Sequence, residues 1–287
     1  MATITATGAA QSSGGVQIRK RPGGPLRWIR SHIIPIIGVG VLFYMFLPIF
    51  VVVVMSFNDP AGRYNYTWNH FSTDAWTNFC GVAGMCDSLV LSLGIGVVAT
   101  AGAVVLGTLV AFAIGRYSFR GRASSNLLVF MPMATPEVVM GSSLLTLFVA
   151  MSFATGITTI LIAHVMFCLS FVVVTVKARI ASLDPRLEQA AMDLYADEKT
   201  TFWKVTFPQV LPGIVGASLL AFSLSFDDFI ITNFNSGSSV TFPMFVWGSA
   251  QRGTPPQINV VGSLMFFISL AIVLLGQVYQ RRRAKKA

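Results

Sequence analysis

The sequence predicts an all-α integral membrane protein with six transmembrane helices, and three observations support this fold class. Hydrophobic residues make up 54% of the 287-residue chain and charged residues only 11%, which is more apolar surface than one soluble core could bury. Separate apolar runs reach about 20 residues, the length at which a helix crosses the hydrocarbon layer. The basic residues lie between these runs, almost all on one predicted face of the membrane.

Six apolar runs define the predicted spans. The first is longer than the apolar core of a secretion signal, about 7 to 15 residues, and no small-x-small cleavage site follows it, so it is expected to remain as an anchor. A tight turn over Ser152–Gly156 is expected to join the third and fourth spans into a helical hairpin. The predicted limits are Ile33–Met55, Ser88–Gly115, Asn126–Met151, Ile157–Val176, Pro212–Asn233 and Val260–Tyr279.

The distribution of Lys and Arg orients these spans. All but two of the 20 basic residues fall in the two tails, in the loop between spans two and three, and in the loop between spans four and five. Because Lys and Arg accumulate in cytoplasmic loops, both termini are predicted to be cytoplasmic, with only Arg63 and Arg252 outside. The net charge of +9 therefore reflects membrane loops, and no nucleic-acid partner is expected.

The chain divides into one membrane domain and two tails. Residues 1–25 contain few large apolar side chains and are predicted to be a disordered cytoplasmic tail. Residues 26–280 form the transmembrane domain, and residues 281–287 form a basic cytoplasmic tail. These boundaries leave two loops long enough to have a function, one on each side of the membrane.

The outer loop, Asn58–Asp87, is rich in aromatic residues. These suit either an interfacial belt or contact with an external partner, and both interpretations stay open. Cys80 and Cys86 lie in this loop, where an oxidising environment allows a disulfide, whereas Cys168 inside span four is expected to pack. The aromatic residues are Tyr64, Tyr66, Trp68, Phe71 and Trp76.

The loop of about residues 178–211 is predicted to lie in the cytoplasm and to contain an amphipathic helix. Apolar residues recur there at helical spacing and include two adjacent alanines, which would let another protein approach the backbone closely. A second segment from Phe202 to Phe207 is expected to end at Pro208 and Pro212, before span five begins. A connector lying on the membrane surface is the alternative, although an alanine-rich face is a weak lipid anchor.

This loop resembles the EAA loop of the permease subunits of binding-protein-dependent ABC importers. The family pattern is Glu-Ala-Ala, three residues, Gly, nine residues, then Ile-x-Leu-Pro. This chain has Gln189, Ala190 and Ala191, then Tyr195, and then Val-Thr-Phe-Pro ending at Pro208, with identical spacing. Gln189 replaces Glu, although Glu188 is adjacent, and Tyr195 replaces Gly. A Tyr would be strained if that Gly supplies a turn with positive φ.

The resemblance extends over about residues 26–279 and looks closest to the spermidine/putrescine (polyamine) branch, although related permeases for iron share the scaffold. The stretches that carry it are Met131-Pro132 with Pro136-Glu137, Ala163-His164 with Phe167-Cys168, Phe171–Arg179 and Ser225–Asp228.

The resemblance implies a type I ABC importer permease in the bacterial inner membrane. Such a chain pairs with a second permease, its paralogue or a copy of itself, and an extracytoplasmic binding protein delivers the substrate. Two ATPase subunits would bind ATP and Mg, because this chain has no Gly-rich phosphate loop and is expected to be neither an enzyme nor a cofactor carrier. The residues implied in ATPase coupling are Glu188, Gln189, Ala190, Ala191, Asp193, Leu194 and Tyr195.

Acidic residues inside the membrane mark a candidate substrate pathway. An Asp at a helix centre costs about 2.5 to 3.5 kcal/mol, so such acids usually face a cavity or a partner. Successive helical residues point roughly 100° apart, so one of Asp227 and Asp228 is expected to face the lumen and the other a neighbouring helix. Phe226 beside them suits a polyamine through cation–π contact, and Glu137 follows a proline kink in span three.

Alternative interpretations remain for these acids. The Asp pair would otherwise anchor span five near the interface, and Glu137 would otherwise accompany a structural kink. His164 in span four is expected to be a packed, hydrogen-bonded helix contact. An ion-coupled secondary transporter would use the acids to carry protons. A membrane enzyme is disfavoured because the sequence has neither His-Glu-x-x-His nor Gly-x-Ser-x-Gly.

Overall fold

A computed structural model describes the backbone of residues 25–284 and the side chains of residues 32–278. The predicted N-terminal tail lies outside the described residues except for Pro25, where α1 begins, and residues 285–287 of the C-terminal tail also lie outside. The chain divides into two compact units, one ending at Val51 and the other beginning at Val52. In the first unit, the side chains of residues 32–48 of α1 are all exposed, which suits a helix surrounded by lipid.

The described residues are almost entirely helical, apart from a two-stranded antiparallel ribbon that pairs Asn58 with Phe71. The elements in chain order are α1 (Pro25–Met55), β1 (Asn58–Asp59), β2 (His70–Phe71), α2 (Asp74–Thr77), α3 (Met85–Arg116), α4 (Arg122–Ala134), α5 (Glu137–Ala150), α6 (Ile157–Ala181), α7 (Arg186–Asp193), α8 (Glu198–Thr201), a π-helical turn (Phe202–Thr206), α9 (Phe207–Asp227), α10 (Ile230–Asn235), α11 (Phe242–Arg252) and α12 (Pro256–Ala284).

Among the described residues, five helical segments are long and apolar enough to cross a membrane, and there are six spans if α4 and α5 count as one. These two helices bend by 106° at Thr135 and Pro136, so the prediction of one kinked helix over Asn126–Met151 is wrong in detail. Pro136 has no amide hydrogen and forces Thr135 into an extended conformation (φ −82°, ψ 131°), which ends α4 there. Glu137 therefore lies at the break, as the first residue of α5.

The fifth span also differs from the prediction. Pro208 and Pro212 do not end a separate segment, because α8, the π-helical turn and α9 are continuous over Glu198–Asp227. The Phe207 amide donates to the Phe202 carbonyl, five residues back, and this change of register lets the helix pass Pro208 in the first turn of α9. The span then breaks at residues 228–229, where the sequence predicted continuous helix to Asn233.

The core of the second unit lies where α3, α6 and α9 pack on one another. Small residues on α3 permit close approach, since Ala99, Ala103, Gly107 and Ala111 recur every four residues and are buried. A Cβ at Gly107 would lie 2.7 Å from Cγ1 of Val172 on α6, so only glycine fits this crossing. Cys168 is buried in the same core as a free thiol, as predicted.

The outer loop is more ordered than its composition suggests. Asn58 donates to the side chain of Asn65 at 2.6 Å and to the Thr67 carbonyl at 2.9 Å, which closes the loop beside the ribbon. Cys80 and Cys86 are joined by a disulfide, which settles the open pairing. Trp76 and Phe71 both stack on Phe57, yet four of the five aromatic residues, including Phe71, are exposed and available to a membrane interface or a partner. These are Tyr64, Tyr66, Trp68 and Phe71.

Candidate coupling and pathway sites

The predicted amphipathic helix in the loop between α6 and α9 is α7. Most of its residues, including Gln189 and Ala190, are exposed to solvent in the single chain. Glu188 and Ala191 are half-buried. Leu194 is 81% exposed and Tyr195 is 100% exposed just beyond the helix end. An exposed set this apolar in a loop is typical of a protein contact surface. We call Gln189, Ala190, Asp193, Leu194 and Tyr195 the coupling face.

The end of α7 has the hydrogen bonds of a Schellman motif. The Tyr195 amide donates to the Met192 carbonyl at 2.9 Å, and the Ala196 amide donates to the Ala191 carbonyl at 3.1 Å. Tyr195 occupies the left-handed position of this motif, with φ of 63°. The chain therefore has a left-handed turn at the position of the glycine in the family pattern. Tyr195 adopts there a conformation that costs a non-glycine residue roughly 1 kcal/mol.

Replacing Tyr195 with Gly should stabilise this corner by up to about 1 kcal/mol, because the left-handed strain disappears while the extra entropy of the unfolded glycine offsets part of the gain. Hydrogen exchange of the Ala196 amide measures the effect, and exchange should become slower. Met192→Gly is the matched control, since Met192 is helical and glycine there should destabilise by about 1 kcal/mol. Faster exchange in both variants would show that Tyr195 is not strained.

Glu188 is engaged within its own chain. Its carboxylate accepts two hydrogen bonds from the Arg116 guanidinium, at 2.8 Å and 2.5 Å, and a third from the Thr206 hydroxyl at 2.6 Å. Arg116 is the last residue of α3, and Thr206 ends the π-helical turn. The side chains of Arg116 and Glu188 are only 27% and 23% exposed, so the ion pair is partly shielded from solvent. We call this arrangement the Arg116–Glu188 tie.

Aromatic packing and a helix cap fix the rest of the loop. Phe202 packs edge-on against Phe112 of α3 at 5.4 Å between ring centroids, and it also contacts Trp203 and Phe207. Asp197 caps α8, and its side-chain and backbone hydrogen bonds with Thr200 hold the pKa of that carboxyl below its usual range. The loop is therefore attached to α3 through both its polar and its aromatic residues.

The predicted acid pair lies at the break between α9 and α10. Asp228 is 8% exposed, and its two oxygens accept hydrogen bonds from the Ile231 and Thr232 amides at 3.3 Å and 2.8 Å. Asp227 is the last residue of α9 and is exposed. One carboxylate thus contacts the protein interior while its neighbour is free to meet a ligand.

Glu137 belongs to the same region as this pair. It is exposed at the first turn of α5, and α5 packs on α10, where Asn235 donates to the Gly141 carbonyl at 3.2 Å. Because α10 directly follows the break after Asp227, the packing of α5 on α10 brings the first turn of α5 toward that break. The two helix breaks therefore place exposed Glu137 and Asp227 in one acidic region, and breaks of this kind are tolerated in a membrane where they line protein or water.

Phe226 lies in a different environment from the one predicted. Its ring stacks with Phe222 and Phe242 at 6.0 Å and 6.3 Å, in an apolar cluster with Met85 of α3. Phe229 instead contacts Trp247 of α11 at 5.3 Å beside the break, where Phe229 is partly buried and Trp247 is exposed. The cation–π role predicted for Phe226 stays a prediction, and the structure adds Phe229 and Trp247 as aromatic neighbours of the break.

His164 is a packed, hydrogen-bonded helix contact, as the sequence predicted. It is 1% exposed, and its ring nitrogens contact Ser225 and Thr232 across the break. Sequence reasoning missed these two partners, although Ser225, Asp228 and Thr232 recur at the three-, four- and seven-residue spacing of one helix face. We call His164, Ser225, Asp228 and Thr232 the Asp228 cluster.

Comparison with known proteins identifies the family. Residues 103–286 match the family described as the binding-protein-dependent transport system inner membrane component. The chain is 35% identical over 240 residues to the spermidine/putrescine transport system permease protein PotC of Haemophilus influenzae, covering 83% of this chain and 93% of that one. It is also 35% identical over 253 residues to the putrescine transport system permease protein PotI of Escherichia coli, covering 85% and 88%.

Solved structures agree with this relationship at the level of the fold. A chain of a bacterial ABC transporter involved in alginate import has a TM-score of 0.61 at 16% identity, over 89% of this chain and 97% of that chain. A chain of the MetNI methionine ABC transporter has a TM-score of 0.56 at 12% identity, over 67% and 92%. With its apolar helices and its sequence match, the chain belongs to the inner membrane components of binding-protein-dependent transport systems.

Proposed function

We propose that this chain forms half of the translocation pathway of an ATP-driven importer for polyamines such as spermidine and putrescine. The observation that carries the proposal is the acidic region formed by exposed Asp227 and Glu137 at the two helix breaks. Polyamines are flexible cations with several charges, and carboxylates presented along a water-lined path attract them without requiring a rigid fit. The names of the relatives from Haemophilus influenzae and Escherichia coli support the same substrate class.

The proposed partners follow from the family and from the exposed surfaces. An extracytoplasmic binding protein would deliver the substrate, and a second permease, a paralogue, would complete the pathway. None of the residues of α4 is buried in the single chain, so this helix has surface to offer a neighbouring subunit or lipid. Both termini of the chain would lie in the cytoplasm.

The proposed contact with each of two ATPase subunits is the coupling face at the end of α7. The small side chain of Ala190 permits close approach, with the half-buried Ala191 beside it. The exposed Leu194 and Tyr195 supply apolar contact area. Closure of the ATPases on ATP would move α7 as a rigid body, and the Arg116–Glu188 tie would pass that movement to α3. ATP and Mg would bind to the ATPase subunits alone.

Uptake of labelled spermidine and putrescine by cells that express all subunits tests this function. ATP depletion should abolish uptake, whereas a proton ionophore with ATP maintained should leave most of it, and the tagged chain should purify with an ATPase. Uptake that resists ATP depletion and stops with the ionophore would indicate an ion-coupled carrier. A binding protein that takes ferric iron and neither polyamine would overturn the substrate assignment.

A further inference from the structure

The Asp228 cluster joins two transmembrane elements across the break in the fifth span. His164 lies on α6, Ser225 on the last turns of α9, and Thr232 on α10. The ring nitrogen Nδ1 of His164 lies 2.7 Å from the Ser225 hydroxyl, and Nε2 lies 2.9 Å from the Thr232 hydroxyl. Nε2 also lies 3.3 Å from an oxygen of Asp228. One imidazole therefore contacts both sides of the break.

The hydrogen bonds indicate which ring nitrogen of His164 carries a hydrogen. The Thr232 hydroxyl donates its single hydrogen to Asp228 Oδ2 at 2.8 Å, so its oxygen is the acceptor toward His164. Nε2 must then carry a hydrogen and donate it to Thr232. The Asp228 carboxylate also accepts hydrogen bonds from the Ile231 and Thr232 amides, so residues after the break hold both of its oxygens.

This arrangement constrains the neighbouring residue. Asp228 is extended (φ −64°, ψ 121°) and directly follows Asp227, the last helical residue of α9. Asp228 is held against α6 one residue after Asp227, so losing this anchor would let the last turn of α9, and with it the Asp227 carboxylate, change direction. All four residues of the cluster are buried, between 0% and 8% exposed, so the cluster itself offers no surface to a substrate.

We propose that His164 is a positioning residue for transport: it holds Asp228 and the break between α9 and α10 so that Asp227 projects into the pathway. His164 does not touch the substrate and acts through Asp228. The inference rests on the proposed function, because it assumes that Asp227 meets the substrate. It adds a residue on α6, a helix that carries none of the predicted pathway acids.

The test uses the complete transporter, purified with its partners and reconstituted, with spermidine uptake and ATP hydrolysis measured together. His164→Ala removes two hydrogen bonds and should lower uptake by about fivefold to tenfold while ATP hydrolysis changes by less than about twofold. His164→Gln retains a donor near Nε2 and should recover part of the uptake. Ser170→Ala is the matched control, since Ser170 is buried on the same helix and its hydroxyl has no partner among the described residues.

A second measurement separates position from transport. In the variant Asp227→Cys, a water-soluble thiol reagent reports how accessible the side chain at the break is, and adding His164→Ala should change the labelling rate by about fivefold whereas adding Ser170→Ala should not. An unchanged labelling rate, or equal losses of uptake and ATP hydrolysis in proportion to folded protein, would overturn the positioning role while the proposed function stands. If Asp227→Asn transports normally, Asp227 does not meet the substrate and the positioning role fails, whereas the proposed function fails only if the unaltered transporter shows no ATP-dependent spermidine uptake.

Discussion

Removing the charge from Asp227 or Glu137 should lower polyamine uptake by about tenfold to a hundredfold, because a hydrogen bond to a charged group contributes about 1.5 to 3 kcal/mol. The variants Asp227→Asn and Glu137→Gln keep the side-chain size and remove only the charge. Both residues are exposed in the single chain, and among the described hydrogen bonds neither carboxylate has a partner that the substitution would leave unpaired. The amount of inserted protein should therefore stay close to normal. Initial rates of labelled spermidine uptake measure the effect.

The matched control is Asp74→Asn, an exposed acid in the first turn of α2 on the outer loop, which should transport normally. Asp228→Asn should behave differently from both pathway variants, since Asp228 accepts three hydrogen bonds from Ile231 and Thr232 in the interior. Its loss should reduce the amount of folded protein as well as uptake. Normal uptake by both Asp227→Asn and Glu137→Gln would remove the acidic region from the pathway.

The number of spans could be predicted from the sequence because span length and hydropathy are local properties. A run of about 20 apolar residues has few stable alternatives to a membrane helix. The same local rules gave the wrong structure around Pro208 and Pro212, where a π-helical turn absorbs the missing amide and the helix continues. Proline predicts a disturbance of the hydrogen-bond ladder, but its form is a π-helical turn whose first residue, Phe202, packs on Phe112 of α3, and that distant contact cannot be read from the local sequence.

The break at Asp228 shows what local patterns leave out. Neither proline nor glycine lies at residues 228–229, so no helix-breaking residue type marks the position in the sequence. The break is stable because His164, more than 60 residues earlier, supports the carboxylate that caps α10. By contrast, the motif spacing identified Tyr195 as the position of the glycine in the family pattern and so raised the question of a positive φ there, which the structure answers with a φ of 63°.

Glu188 illustrates the same limit at the coupling loop. Its position beside Gln189 predicted contact with an ATPase, and nothing in the local sequence points to Arg116, 72 residues away. The structure gives Glu188 an intramolecular partner on α3, whereas other residues of α7 remain exposed. The two roles differ in one testable respect, since only the intramolecular role requires opposite charges at positions 116 and 188.

Reversing either charge of the Arg116–Glu188 tie should lower uptake by more than about tenfold, because a partly buried bidentate pair is replaced by like charges facing each other. Arg116→Glu and Glu188→Arg are the single variants, and the double variant restores opposite charges in exchanged positions. The double variant should recover most of the uptake if the tie transmits movement from α7 to α3. Uptake and the amount of copurified ATPase, both normalised to inserted protein, measure the two steps separately.

Arg120→Glu is the matched control, since Arg120 is an exposed residue of the same basic loop. This substitution changes the net charge by the same amount as Arg116→Glu. It should transport normally. If Glu188 acts only by docking, Arg116→Glu would leave uptake intact and the exchanged pair would remain as inactive as Glu188→Arg alone. Recovery in the exchanged pair would instead mean that coupling depends on a charge contact inside this chain, with the ATPase acting on the exposed face of α7 and the tie carrying the movement to α3.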